Sequence, residues 1–88
     1  KEIGKSKSYV AKEISKKERA IGKTEEKIAV LEEQIDGIKT EIGLPENQSD
    51  YIKLSALQDE LEKTETELDI AMTEWEKLTT ELEELKKA

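Results

Sequence analysis

IAVLEEQIDGIKTEIGLPENQSDYIKLSALQDEL, residues 28–61, decides the fold. Up to Ile42 its apolar residues fall three and four apart, at Ile28, Leu31, Ile35, Ile38 and Ile42, and the same spacing resumes at Leu54, Leu57 and Leu61. Residues so spaced line one side of an α-helix. Between the two series stands Gly43-Leu44-Pro45: a residue that tolerates a left-handed C-cap, then a proline whose missing N–H cannot continue the ladder. The stretch therefore predicts an all-α fold, an antiparallel two-helix coiled-coil hairpin with a short Gly/Pro tip.

The repeat extends in both directions. With Ile14 at heptad position a, Ile21, Ile28, Ile35 and Ile42 follow at a in the first helix, and Leu54, Leu61, Leu68, Trp75 and Leu82 in the second. The d positions are Val10, Lys17, Thr24, Leu31 and Ile38, then Leu57, Thr64, Ala71, Leu78 and Leu85. The seam is polar around Lys17 and Thr24 and apolar from Ile28 onward, so the hairpin should be tightest toward its tip. Asp36-Gly37 would ordinarily mark a turn, but the frame passes through it unbroken. Gly37 and Gly22 fall at outward positions, where each costs about 1 kcal/mol relative to Ala.

These signals divide the chain into a linker or frayed N-terminus at 1–8, a first helix at about 9–43, a tip at 44–49 and a second helix at about 50–86. Each helix should be roughly 50 Å long at 1.5 Å per residue. Ser49 or Asn47 is the expected N-cap of the second helix, with Asp50 also competent. A short tip pairs residues whose numbers sum to about 92: Ile38 with Leu54, Ile35 with Leu57, Leu31 with Leu61, Ile21 with Ala71. That register places Lys17 beside Trp75, within reach of a cation–π contact. A slip of one heptad, to a sum of about 99, sets Thr24 opposite Trp75 and packs almost as well.

Composition narrows the function classes. Charged residues reach 42% and hydrophobic ones 34%, a balance that alone would suggest disorder; the apolar period assigns the charge to solvated helix faces instead. No apolar run approaches the about 18 residues of a membrane span, and no signal peptide precedes the first helix. With no cysteine and no histidine, disulfide and thiolate chemistry and the commonest general base and metal ligand are excluded, and a cytoplasmic setting is expected. The glutamates crowding the second helix, Glu60 to Glu84, have no concavity to converge in, so neither a catalytic residue nor a metal site is assigned. Glu13 with Lys17, Asp59 with Lys63 and Glu83 with Lys87 are expected to pair along the helices. The chain opens on Lys1 and reads as a piece of a longer protein.

Net charge is −7 but unevenly placed. Residues 1–27 hold nine Lys/Arg against five Glu, a net +4, whereas residues 28–88 hold six against seventeen, a net −11. Within the basic segment Lys12, Lys16, Arg19, Lys23 and Lys27 are spaced 4, 3, 4 and 4 apart, which confines them to an arc of about 80° facing away from the seam. Such a stripe can track phosphates electrostatically; no aromatic residue interleaves the cations to stack on bases. The competing reading of the same residues is a plain solvated face. Trp75, at an a position, is read as core.

Ser8-Tyr9 leading into a basic helix, the Leu31-Glu32 seam, a Pro-bearing tip, Tyr51-Ile52-Lys53-Leu54 and Glu74-Trp75-Glu76-Lys77-Leu78 together resemble the C-terminal coiled-coil domain of ABC-F ATPases, the soluble, non-transporting ABC proteins that include the Uup type. The resemblance runs from about Ser8 to Leu85. It implies a parent with two ATP-binding domains acting on ribosomes in translation or, in some relatives, binding DNA through this domain. The phosphate loop and signature motif that hydrolyse ATP in that family have no counterpart here, so the segment is expected to be no enzyme and to hold no cofactor of its own. A nucleic-acid role, toward rRNA or DNA, would fall on Lys12, Lys16, Arg19, Lys23 and Lys27. The other class of function is a structural or protein-binding hairpin, serving as spacer, adaptor or dimerisation arm. A monomeric hairpin is the preferred state, although an extended dimer would satisfy the same heptads.

Overall fold

The computed structural model describes residues 2–87, and side chains from Tyr9 to Lys87. Helix α1 spans Glu2–Ile42, a short 3-10 turn spans Pro45–Asn47, and helix α2 spans Tyr51–Lys87. The helices pack antiparallel along their length as a rod of 71 × 15 × 14 Å. The expected hairpin is what forms. Among the described residues no helix is long and apolar enough to cross a membrane.

Helix α1 begins farther upstream than the sequence signals suggested. The backbone of residues 2–8 is helical, so the stretch read as a linker continues the helix; Gly4 is a tolerated cost of about 1 kcal/mol and not a stop.

Nearly all the heptad positions face the partner. Ile21, Leu31, Ile35, Ile38, Leu57 and Ala71 form the buried core, joined by Thr24 and Thr64. The two threonines satisfy their hydroxyls within their own helix: Thr24 Oγ1 donates to the Ala20 carbonyl at 2.9 Å and Thr64 Oγ1 to the Glu60 carbonyl at 2.8 Å. A buried hydroxyl without such a partner would cost about 1–3 kcal/mol. Toward the open end Val10, Ile14, Lys17, Leu78, Leu82 and Leu85 are only half-buried, the looser packing that the polar d positions foretold.

The register is the correction of most consequence. Lys17 meets Glu81, and Trp75 meets Glu25, so facing residues sum to about 99 and not to about 92. The physical reason is a tip longer than a minimal connector: the 3-10 turn carries the chain onward past Ile42, and α2 contacts that turn as well as α1. The opening of α2 therefore overhangs the end of α1, leaving Tyr51 and Ile52 79% and 86% exposed. The layers then pair Ala71 with Ile28, Thr64 with Ile35 and Thr24 with Trp75, combinations of the same kind as those one heptad away, so the tip and not the seam decides.

The tip is fastened by its own side chains. Asn47, only 4% exposed, donates through Nδ2 to the Glu41 carbonyl at 2.8 Å, and Gln48 Nε2 donates to the carbonyls of Ile42 and Leu44 at 2.8 and 3.0 Å. These bonds satisfy carbonyls left open at the end of α1. The expected left-handed C-cap is absent: among the described residues no glycine has a positive φ, because the two amides and Pro45 end the helix without it. Asp50, neither Ser49 nor Asn47, caps α2, its Oδ1 accepting the Lys53 N–H at 3.1 Å. Asn47 is instead engaged with the end of α1.

Candidate nucleic-acid interface

Antiparallel closure decides which surfaces merge. Heptad positions g and c of both helices share one side of the rod, and positions e and b share the other. On the first side lie Tyr9, Lys16, Lys23 and Lys27; Lys12 and Arg19, at f, continue it around the back of α1. The structure thus places all five predicted cations on one strip of α1, and all five are exposed. From Lys12 to Lys27 the strip is about 22 Å long at 1.5 Å per residue.

The cations are largely unspent. Lys16 Nζ lies 3.7 Å from Glu13 Oε2, an exposed i,i+3 pair of the kind worth little. Lys12, Arg19, Lys23 and Lys27 make no ion pair within 4.0 Å of the described residues. Ala11, Lys12, Ser15, Lys16 and Arg19 line a shallow depression, so the strip has a small-residue floor between its charges, where a phosphate oxygen can approach several cations at once.

The polar contacts of the seam fall on both sides of the rod and were not all foreseen. Lys17 Nζ donates to Glu81 Oε1 at 2.6 Å. That bond raises the Lys17 amine above its ordinary pKa and lowers the Glu81 carboxyl below its own, in each case against the opposing pull of desolvation. Lys17 is therefore neither a cation–π partner of Trp75 nor paired along its helix with Glu13. Trp75, half-buried, donates its indole N–H to Glu25 Oε2 at 3.0 Å on the opposite, e/b side. Lys86 reaches Glu18 at 3.9 Å on that side too. None of the three ion pairs expected along the helices closes within 4.0 Å. The signal that could have found Glu25 and Glu81 is their placement: an e carboxylate beside an a tryptophan and a g carboxylate beside a d lysine, legible once the register is known.

A family model described as the ABC transporter C-terminal domain matches residues 12–80. The chain belongs to that family. The match covers most of the hairpin, from Lys12 through the whole basic strip, the tip and Trp75, and it agrees with the resemblance read from the Glu74–Leu78 segment and the heptads. As a member of the ABC transporter C-terminal domain family, the hairpin is an accessory domain of an ABC protein and not its catalytic ATPase domain. No curated protein and no solved structure matches the chain.

Proposed function

We propose that this hairpin is the C-terminal arm of an ABC-F ATPase and that it contacts nucleic acid, rRNA on the ribosome or DNA, through Lys12, Lys16, Arg19, Lys23 and Lys27. The observation that carries the reading is the run of five exposed cations on one strip of α1, four of them without a carboxylate partner among the described residues. The strip occupies the open-end half of a rod 71 Å long. ATP would be held and hydrolysed by the parent's nucleotide-binding domains, in the cytoplasm, with the arm supplying contact and not chemistry.

Contact of this kind is electrostatic and independent of sequence. Five neutralised phosphates give a slope of log affinity against log salt of about −4.5 on duplex DNA and about −3.5 on a single strand. The test is a titration of labelled duplex DNA and of structured RNA at two salt concentrations. Combined Lys12→Glu, Lys16→Glu and Lys23→Glu should abolish measurable binding while helicity is kept. Equal affinity in the charge-reversed protein would sink the reading.

A protein-binding or spacer role is the second reading, favoured by one observation: residues 28–88 carry a net −11, a charge that repels phosphate. It predicts no salt-dependent binding in the same titration.

A further inference from the structure

The basic strip ends on an aromatic ring beside a cleft. Tyr9 lies three residues before Lys12 and seven before Lys16, so it occupies the same arc of α1 as the cations, and it is 64% exposed. Its ring lines a cleft of about 280 Å³ with Glu13, Lys17, Glu81, Glu84 and Leu85, formed where the two helices meet at the open end of the hairpin. The cleft is an open groove more than an enclosed cavity, so a ligand would lie against its wall. It suits one planar ring system.

The geometry points to this cleft as a pocket for a single unpaired guanine base of the nucleic acid held on the strip, an inference that rests on the reading of that strip as a phosphate contact. Three features of the lining support it. Tyr9 offers an exposed ring for stacking and Leu85 an apolar wall, the pairing by which proteins hold splayed bases. One of the three carboxylates in the lining is neutralised in place, Glu81 by Lys17 at 2.6 Å, and the base enters with its phosphate outside, on the strip. Glu84 is in no ion pair with the described residues and presents acceptors only. Guanine is the base whose Watson–Crick edge carries two adjacent donors, N1–H and the N2 amino group, which a carboxylate accepts as a fork. Adenine, cytosine and uracil each offer one donor position there.

The phosphates flanking such a base would lie on Lys12 and Lys16, about one and two turns of helix away from the ring. This explains why an aromatic residue stands at the end of the strip and none within it: the strip positions and the cleft reads. A base must be unstacked to enter, so the ligand is a bulge, loop or single-stranded junction beside a duplex, and not an uninterrupted duplex.

The test measures Kd by fluorescence anisotropy for a duplex containing one unpaired guanosine, the same duplex fully paired, and versions with unpaired A, C or U. It uses RNA and DNA arms to distinguish the two sources of the base. The guanosine bulge should bind about tenfold more tightly than the paired duplex. Tyr9→Ala should erase that advantage, Tyr9→Phe should keep it, and Glu84→Gln, which swaps one acceptor for a donor, should level guanosine with the other bases. Equal affinity for bulged and paired duplexes by the wild-type protein would overturn the inference while leaving the strip intact. An advantage that survives Tyr9→Ala would overturn it as well. Failure to bind any of the nucleic acids would instead remove the strip reading, and the inference with it.

Discussion

The register of the seam can be tested with a pair of cysteines, and the absence of native cysteine makes the background clean. In the observed register Ile28 faces Ala71; one heptad away, Ile21 would. We therefore compare Ile28→Cys/Ala71→Cys with Ile21→Cys/Ala71→Cys. Seven residues of helix advance the backbone by about 10.5 Å at 1.5 Å per residue, whereas a disulfide requires Cα atoms about 4.4–6.8 Å apart. One register can thus close one pair only. Crosslinking positions 28 and 71 encloses a loop of about 44 residues, for which the chain-entropy relation gives about 4 kcal/mol of stabilisation. For a domain of this size that is an increase in Tm of roughly 16–32 °C if no strain is introduced, at about 4–8 °C per kcal/mol. Air oxidation followed by non-reducing electrophoresis reads closure, and circular dichroism with and without reductant reads the gain. Rapid closure and a raised Tm for the 21/71 pair, with the 28/71 pair staying reduced or losing stability on oxidation, would refute the register and with it the placement of Glu25 and Glu81.

Other outcomes follow from the same contacts. Gly22→Ala and Gly37→Ala should each raise stability by about 1 kcal/mol in denaturant melts, since a Cβ at either site meets nothing within 4 Å; a loss at either would contradict their outward placement. Leu31→Ala, at a position 6% exposed in the core, should cost about 2–5 kcal/mol. Asp50→Ala should cost about 1 kcal/mol by removing the cap on α2, whereas Ser49→Ala should be neutral. The Lys17–Glu81 bond sets a pH window. The Glu81 carboxyl is lowered, so its contribution is present above the unfolded value of about 4.3 and lost as pH falls through the folded one. The Lys17 amine is raised, so its contribution is present below about 10.4 and lost as pH rises through the folded value. The Tm difference between wild type and Glu81→Gln should accordingly be largest between about pH 5 and 10 and vanish in strong acid; a difference independent of pH would assign the effect to packing alone.

The fold was legible because it rests on a periodic property. An isoleucine or leucine every seventh residue is a statement about which side of a helix avoids water, and it survives two outward glycines and an Asp36-Gly37 pair that local propensity would have read as breaks. The register was not legible, because the energy separating two slips of one heptad lies in the tip and not in the seam. Whether Asn47 caps the helix before it or the helix after it cannot be told from its type, since its amide both donates and accepts. Its donation to the Glu41 carbonyl makes the connector long and fixes everything downstream. The five cations could be found from spacing alone, since exposure on a helix follows from phase. Tyr9 could not be weighed in the same way: its partners in the cleft, Glu81, Glu84 and Leu85, come from the far end of the chain and join it only when the register is known.

The hairpin topology also settles how an acidic chain can present a basic surface. Closure in antiparallel sense sends the e and b positions of both helices to one side. There Glu18, Glu25, Glu32 and Asp36 of α1 stand with Glu62, Glu65, Asp69, Glu76 and Glu83 of α2, against Lys39 and Lys86 alone. The opposite side mixes the signs, with Lys53, Lys63 and Lys77 among the glutamates of α2 and Lys16, Lys23 and Lys27 on α1. The rod is about 15 Å across, more than the Debye length of about 8–10 Å at physiological salt. A polyanion lying on the α1 strip is therefore screened from the nine carboxylates of the far side, and feels the nearer lysines first. At low salt the screening length grows past the width of the rod, and the acidic side begins to oppose the basic one. The overall charge thus limits how far lowering the salt can strengthen binding, while the local strip sets whether binding occurs.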